Sequence, residues 1–128
     1  MKIALAQINP TVGDFDGNVS LILEYISRAK EQSAELVIFP ELSLVGYPPK
    51  DLLLKPDFVD QNVDSLDTIV KKMPGSITAM IGCIARNNLP RGRPLHNSMA
   101  VVADGRIVSV HHKSLLPNYD VFDEQRYF

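Results

Sequence analysis

The spacing of apolar residues in the first forty positions constrains the fold more than any other feature, because it changes period twice. Apolar and small residues alternate across Lys2–Gln7, which indicates a strand. From Asp16 to about Ser33 they recur at the helical positions Val19, Ile22, Leu23, Ile26 and Ala29. The run Leu36–Phe39 is continuous and ends at a proline, as is typical of a strand buried on both faces. Strand, helix and strand in this order predict a parallel βαβ unit.

The remaining residues continue the α/β pattern and add a hairpin. Pro56–Met73 carries an apolar stripe and begins with a proline, which suits a first helical position. Three further strands are predicted, and the last two flank Asp104-Gly105, a two-residue hairpin signal: Ile77–Ala85, Leu95–Ala103 and Arg106–Lys113. Residues 40–55 and 114–128 are predicted to be loops, the latter with room for one helical turn. Asp16 or Asn18 is the expected cap of the first helix.

The charge and cysteine content narrow the function classes. A formal net charge of −2 offers no electrostatic case for nucleic acid or an anionic membrane. The N-terminus is too short and too polar for a signal peptide, and no apolar run has the length of a membrane span. The single cysteine, Cys83, excludes an intrachain disulfide and fits a reducing compartment. We therefore expect a cytoplasmic chain of one α/β domain.

Glu41 is the first candidate for chemistry, because it directly follows the buried strand in the string FPEL. Ligand sites of open α/β sheets lie at the carboxyl ends of strands. Apolar neighbours there would disfavour the charged carboxylate and suit a general base near neutral pH. Judged by its position alone, Glu41 is better explained as a helix-capping or loop glutamate than as a catalytic base.

Four other polar or aromatic positions carry weaker signals. Lys113 ends a strand and could stabilise an oxyanion, although a solvated lysine is the simpler interpretation. Glu124 lies among aromatic residues in FDEQRYF, which is unusual for a loop without a functional role. Tyr47 and Tyr119 could each form a pocket wall or anchor a loop on the core.

The positions of the cysteine and the histidines predict neither a catalytic nucleophile nor a metal site. Cys83 lies mid-strand in AMIGCIA, where burial would raise the pKa of its thiol and leave it inert. His111 and His112 are adjacent on a strand, so they face opposite sides and do not form a metal motif with His96. No metal site is predicted.

Several strings together resemble one family. The run LVIFPEL with a later HHKSLLPNYDVFDEQRYF resembles the nitrilase, or carbon–nitrogen hydrolase, superfamily. The more specific strings AQINPTVGDFDGN, GYPPKDLL and LPNYDVFDEQRYF are similar to the glutaminase domain of glutamine-dependent NAD synthetases. The resemblance runs along the whole chain. It implies a four-layer αββα sandwich, of which residues 1–128 supply roughly the N-terminal half.

The resemblance also implies roles for individual residues. Glu41 matches the family's general base, Lys113 the lysine that stabilises the tetrahedral intermediate, and Glu124 the glutamate that orients lysine and substrate. Tyr47, Tyr119 and Phe122 match positions that line the glutamine pocket or the interface to the ammonia tunnel. The family's nucleophilic cysteine is expected beyond Lys113, so residues 1–128 alone are expected to be inactive and to need their missing half.

The implied chemistry is hydrolysis of glutamine through a cysteine thioester, with no cofactor. Ammonia would pass to a synthetase domain, which uses ATP and Mg²⁺ to amidate nicotinic acid adenine dinucleotide. The implied assembly is a homo-oligomer. Two alternatives stay open. One is a free-standing amidase of the superfamily, against which GYPPKDLL argues. The other is a short, non-catalytic nitrilase-like binding or assembly protein.

Overall fold

A five-stranded mixed sheet with two helices on one face makes up the structure, a computed structural model that describes residues 1–128. Short 3₁₀ turns precede the second helix and close the chain, at Lys50–Leu54 and Glu124–Arg126. The main elements in chain order are β1 (Ile3–Leu5), α1 (Phe15–Glu31), β2 (Leu36–Ile38), α2 (Pro56–Lys72), β3 (Thr78–Arg86), β4 (Leu95–Ala103) and β5 (Arg106–His112). The predicted α/β class, two helices and five strands, is confirmed.

The strands lie side by side in chain order. β1, β2 and β3 are parallel, which confirms the βαβ prediction, whereas β4 is antiparallel to both β3 and β5. The β4–β5 turn is the predicted hairpin, with Asp104 at φ 50° and Gly105 at φ 70°. A two-residue turn of this hand matches the twist of the strands it joins. As a result, β2, β3 and β5 all end at the same edge of the sheet, where β4 begins.

The start of α1 differs from the prediction. The cap is Asp14, whose Oδ1 accepts a hydrogen bond from the Gly17 backbone N–H at 3.0 Å. Neither Asp16 nor Asn18 caps the helix. Asn18 is instead 2% exposed, and its amide donates to the carbonyl oxygens of Thr11 and Leu44 at 2.8 and 3.2 Å. Asn18 therefore ties the loop after β1 to the loop after β2.

The core lies between the helices and one face of the sheet. The apolar stripes of α1 and α2 pack against alternate residues of β3 and β4, including Ile22, Ile26, Ile69, Ile81 and Val102. A smaller apolar cluster, centred on Leu42, Val45, Leu53 and Phe58, supports residues 42–53. Burying these side chains is the main stabilising contribution to the fold. Neither helix has the length and apolar character needed to cross a membrane.

Candidate active site

The loop that carries Glu41 is pinned across β3. β2 ends at Ile38, two residues before Pro40, and Leu42 turns the backbone at φ 48°. The Leu44 backbone N–H then donates to the Gly82 carbonyl oxygen at 3.0 Å. A β-carbon on Gly82 would lie 2.3 Å from the Pro40 carbonyl oxygen, so only glycine lets the loop approach this closely. This contact fixes where the Glu41 side chain leaves the backbone.

Lys113 reaches Glu41 because the β-ladder continues one residue beyond β5. The Lys113 backbone N–H donates to the Asn97 carbonyl oxygen at 2.8 Å. Its ammonium Nζ lies 2.8 Å from Glu41 Oε1. The two side chains are 72 residues apart in sequence and meet at the common carboxyl edge of β2 and β5.

Glu124 completes a cluster of two carboxylates around one ammonium. It begins the last 3₁₀ turn and is 6% exposed. Its Oε1 accepts a hydrogen bond from Lys113 Nζ at 3.1 Å. Its buried Oε2 lies 3.0 Å from the same nitrogen, but the angles there make an ion-pair contact and no hydrogen bond. Both carboxylate oxygens of Glu124 therefore face the Lys113 ammonium.

The two carboxylates dominate the electrostatics of Lys113. Burial alone would lower the pKa of its ammonium. The hydrogen bonds and charges of Glu41 and Glu124 outweigh that effect and raise the pKa above its ordinary value of 10.5. Lys113 is therefore a fixed cation at neutral pH and a stabiliser of negative charge. It is not a proton carrier.

The raised pKa predicts an alkaline loss of stability. Lys113 stabilises the folded state fully below its ordinary pKa of 10.5, and this contribution disappears as the pH rises through the folded value. Lys113→Met should lower the free energy of unfolding at neutral pH by about 3 kcal/mol, because the buried Glu124 loses its partner. Thermal unfolding tests this: the Tm difference between wild type and variant should shrink above pH 10.5. A difference that grows with pH would contradict the assignment.

Asn97 belongs to the cluster, although sequence reasoning did not select it. It is 3% exposed on β4, and its side-chain amide donates to Glu41 Oε1, the oxygen that Lys113 also binds. The available signal was an amide in the apolar strand LHNSMAVVA. Buried polar side chains need partners, so this asparagine implied a polar neighbour.

A cavity of about 310 Å³ adjoins the cluster on the side of Glu124. Tyr47, Phe122 and Glu124 line it together with residues of the turn before α2 and the last residues of the chain. The Tyr47 hydroxyl donates to Glu124 Oε1 at 3.3 Å. Burial and the nearby carboxylates of Glu124 and Glu41 raise the pKa of this hydroxyl, so it stays protonated and remains a donor.

Two predicted features differ from the structure. Glu41 does not lie among apolar neighbours: its side chain is 42% exposed and contacts Lys113 and Asn97, because it projects from the edge of the sheet. Tyr119 does not line the cavity. Its side chain is 70% exposed and packs its ring edge-on against Phe122, with centroids 5.8 Å apart. Of the three predicted pocket residues, the structure therefore brings Tyr47 and Phe122 to the cavity.

Cys83 and the histidines lie elsewhere. Cys83 faces the helices on β3, is 1% exposed, and burial raises the pKa of its thiol to about 11. His112 Nδ1 shares a hydrogen bond with Ser98 Oγ at 2.8 Å, and His111 Nε2 shares one with Ser109 Oγ at 3.1 Å. The 128 residues contain no group of three or more His, Cys, Asp or Glu side chains arranged to hold a metal ion.

The burial of Cys83 predicts an unreactive thiol. Because the thiolate is the reactive form, labelling of native protein by a disulfide reagent at pH 8 should be at least about 10²-fold slower at Cys83 than at a free exposed thiol. Cys83→Ala should abolish this slow labelling. Mass mapping of the labelled peptide measures the first effect, and fast native labelling at Cys83 would contradict it.

The chain matches the family described as carbon-nitrogen hydrolase over residues 2–128. It is 44% identical to the glutamine-dependent NAD(+) synthetase of Synechocystis sp. over 98% of this chain and 23% of that protein. It is 40% identical to the enzyme of the same name from Thermotoga maritima, over 100% of this chain and 22% of the relative. The chain therefore spans less than a quarter of these curated relatives.

Solved structures give the same similarity. The glutamine-dependent NAD+ synthetase from Acinetobacter baumannii, in complex with adenosine diphosphate, superposes with a TM-score of 0.89 at 40% identity, over 98% of this chain and 23% of that one. A variant of the amidase from Nesterenkonia sp. AN1, with acrylamide added at its active-site cysteine, superposes with a TM-score of 0.73 at 25% identity, over 98% and 47% of the two chains.

Proposed function

Because this chain belongs to the carbon–nitrogen hydrolase family, we propose that it forms the first part of the glutaminase domain of a glutamine-dependent NAD synthetase. Its identity to enzymes of that name is 44% and 40%, against 25% to the amidase. The higher identity extends over essentially the whole chain and supports the synthetase over the amidase as the parent protein.

One observation carries the proposal. The Lys113 ammonium lies within 2.8 Å of Glu41 Oε1 and 3.1 Å of Glu124 Oε1. Hydrolysis of an amide is accelerated by a base for the nucleophile, a hydrogen-bond donor or cation near the developing oxyanion, and a group that orients the reacting partners. In our proposal Glu41, Lys113 and Glu124 supply these three functions in that order.

The nucleophile in this proposal is a cysteine of the same domain that follows Lys113 in the chain. Oε2 of Glu41 takes the thiol proton, and the sulfur attacks the carboxamide carbon of glutamine. The Lys113 ammonium stabilises the tetrahedral oxyanion. Collapse breaks the carbon–nitrogen bond, and the leaving ammonia takes the proton from Glu41. Water then attacks the thioester, with Glu41 again as base, to release glutamate and regenerate the thiol.

The cavity beside Glu124 is the proposed place for the glutamine side chain. Glu124 lines this cavity, and both of its carboxylate oxygens lie within 3.1 Å of Lys113 Nζ, so in our proposal it orients the lysine towards the cavity. The Tyr47 hydroxyl donates to Oε1 of the same carboxylate and holds its orientation. Phe122 supplies an apolar wall, and Tyr119 contributes only by supporting that ring.

The proposed parent protein delivers the ammonia to a synthetase domain outside these residues. That domain would bind ATP and Mg²⁺ and amidate nicotinic acid adenine dinucleotide, in a cytoplasmic homo-oligomer. No step assigned to this chain needs a metal ion.

The proposal is tested in the complete gene product by measuring NAD formation with glutamine or with ammonium chloride as nitrogen donor. We expect both donors to support synthesis, and glutamate to form in proportion to NAD only with glutamine. A product that uses ammonium alone, or that hydrolyses glutamine without forming NAD, would contradict the assignment.

The similarity to the Nesterenkonia amidase favours one other function, that of a free-standing amidase. The two functions differ in substrate. An amidase would hydrolyse short aliphatic amides with a higher kcat/KM than glutamine, whereas the proposed glutaminase would show the reverse order. The cavity beside Glu124 includes the charged side chains of Lys50, Asp51 and Arg126, which suits a zwitterionic substrate better than a small apolar amide.

A further inference from the structure

We propose that Asn97 is a positioning residue that holds the Glu41 carboxylate in its working orientation. The inference rests on the proposed function, because it assumes that Glu41 acts as the base. The specific role is to occupy Oε1 of Glu41, so that Oε2 stays free to take a proton.

Asn97 contacts both partners of the central ion pair. Its side-chain amide donates to Glu41 Oε1, and its backbone carbonyl oxygen accepts the Lys113 backbone N–H at 2.8 Å. The Lys113 ammonium binds the same Oε1 at 2.8 Å, and no side chain donates to Oε2. One buried residue therefore sets the position of a carboxylate and of the cation that faces it.

Glu41 needs such a restraint. It stands on a loop with its side chain 42% exposed, so its terminal torsion is otherwise free to rotate. Lys113 cannot supply the restraint alone, because its flexible stem also serves Glu124. Asn97 is rigid, since it is 3% exposed and pairs with Ile84 of β3 on one side and with the Lys113 N–H on the other.

The chemistry of the amide suits this role. A carboxamide N–H donates at every pH in the working range, so its bond persists whatever the protonation state of its surroundings. A donor to a carboxylate stabilises the charged form, which is the form that a base needs. An aspartate at the same position would have the same shape but would present an acceptor and a second negative charge.

The rest of the chain offers a matched control. Asn62 is also fully buried, and its amide makes two hydrogen bonds with the backbone of Ile84, at 2.8 and 3.1 Å. It contacts none of Glu41, Lys113 and Glu124. Asn62→Ala therefore reports the effect of losing a buried amide that touches none of the three catalytic side chains and reaches Asn97 only through the backbone of Ile84.

The test compares Asn97→Ala, Asn97→Asp and Asn62→Ala in the complete gene product. For Asn97→Ala we expect kcat for glutamine to fall about tenfold with KM little changed, the acid limb of kcat/KM to move to higher pH, and Tm to fall. For Asn97→Asp we expect kcat for glutamine to fall about 10²-fold, because a second carboxylate faces the base. Asn62→Ala should lower Tm and leave the pH profile in place.

Three outcomes would overturn the inference. They are an Asn97→Asp variant with wild-type kcat, an Asn97→Ala pH profile that matches that of Asn62→Ala, and a crystal structure of Asn97→Ala in which the Glu41 carboxylate has not moved. The crystal structure does not depend on the reaction. If the wild type fails to hydrolyse glutamine, the proposed function is wrong, and the position of Glu41 in the variant still decides the role of Asn97.

Discussion

Glutamine hydrolysis by the complete gene product is expected to fall about 10³-fold when Glu41 is replaced by Gln, whereas NAD synthesis from free ammonia stays at the wild-type level. The glutamine side chain at position 41 has nearly the same shape as glutamate. Its carbonyl oxygen can still accept hydrogen bonds from Lys113 and Asn97. It cannot take a proton from a thiol. The substitution therefore removes the base while it preserves the packing of the loop on β3. Steady-state assays with each nitrogen donor measure the two activities separately.

The matched control is Glu24→Gln on the exposed face of α1. Glu24 forms a surface ion pair with Arg28 at 3.6 Å and lies far from Lys113 in the fold, so neither activity should change. Parallel loss of both activities in Glu41→Gln, together with a lower Tm, would indicate that Glu41 supports folding and would contradict its role as a base.

Apolar periodicity was sufficient to predict α1 and α2, because one face of each helix packs into the core. The Asp104-Gly105 turn placed the β4–β5 hairpin within a residue of where it lies. The cap of α1 was missed, since Asp14, Asp16 and Asn18 all have suitable side chains and only the path of the preceding loop selects one. Loop paths depend on tertiary contacts, which a local pattern does not contain.

The site could be predicted in part for a similar reason. The strings that resemble the family selected Glu41, Lys113 and Glu124, and the structure places the two carboxylates around the Lys113 ammonium. Their contact requires β2 and β5 to end at the same edge, which follows from the strand order and not from local spacing. Asn97 and Glu41 are 56 residues apart in sequence, and Asn97 lies in none of the strings that resemble the family. Its contact with Glu41 is therefore visible only in the folded sheet. Tyr119 matched a pocket position, but it is 70% exposed and its ring packs on Phe122.

Gly82 supports the site without contributing a side chain. A β-carbon there would meet the Pro40 carbonyl oxygen at 2.3 Å and the Leu42 backbone nitrogen at 2.4 Å. Both are backbone atoms of the loop that carries Glu41, so they cannot move aside by a change of rotamer. Gly82→Ala must push this loop away from β3 by about 1 Å to reach an ordinary contact. Lys113 and Asn97 belong to other parts of the sheet, so they would not move together with this loop.

We expect Gly82→Ala to reduce glutamine hydrolysis about 10²-fold, the typical effect of a 1 Å misplacement of a catalytic group, and to lower the free energy of unfolding by about 1–3 kcal/mol through overpacking. Gly75→Ala is the matched control, because a β-carbon at Gly75 meets no atom within 4 Å. It should leave activity unchanged and stabilise slightly, since alanine restricts the unfolded chain. Kinetics and thermal unfolding of both variants measure these effects. Equal behaviour of the two alanine variants would show that the loop is not held by its contact with β3, and Glu41 would then owe its position to Lys113 and Asn97 alone.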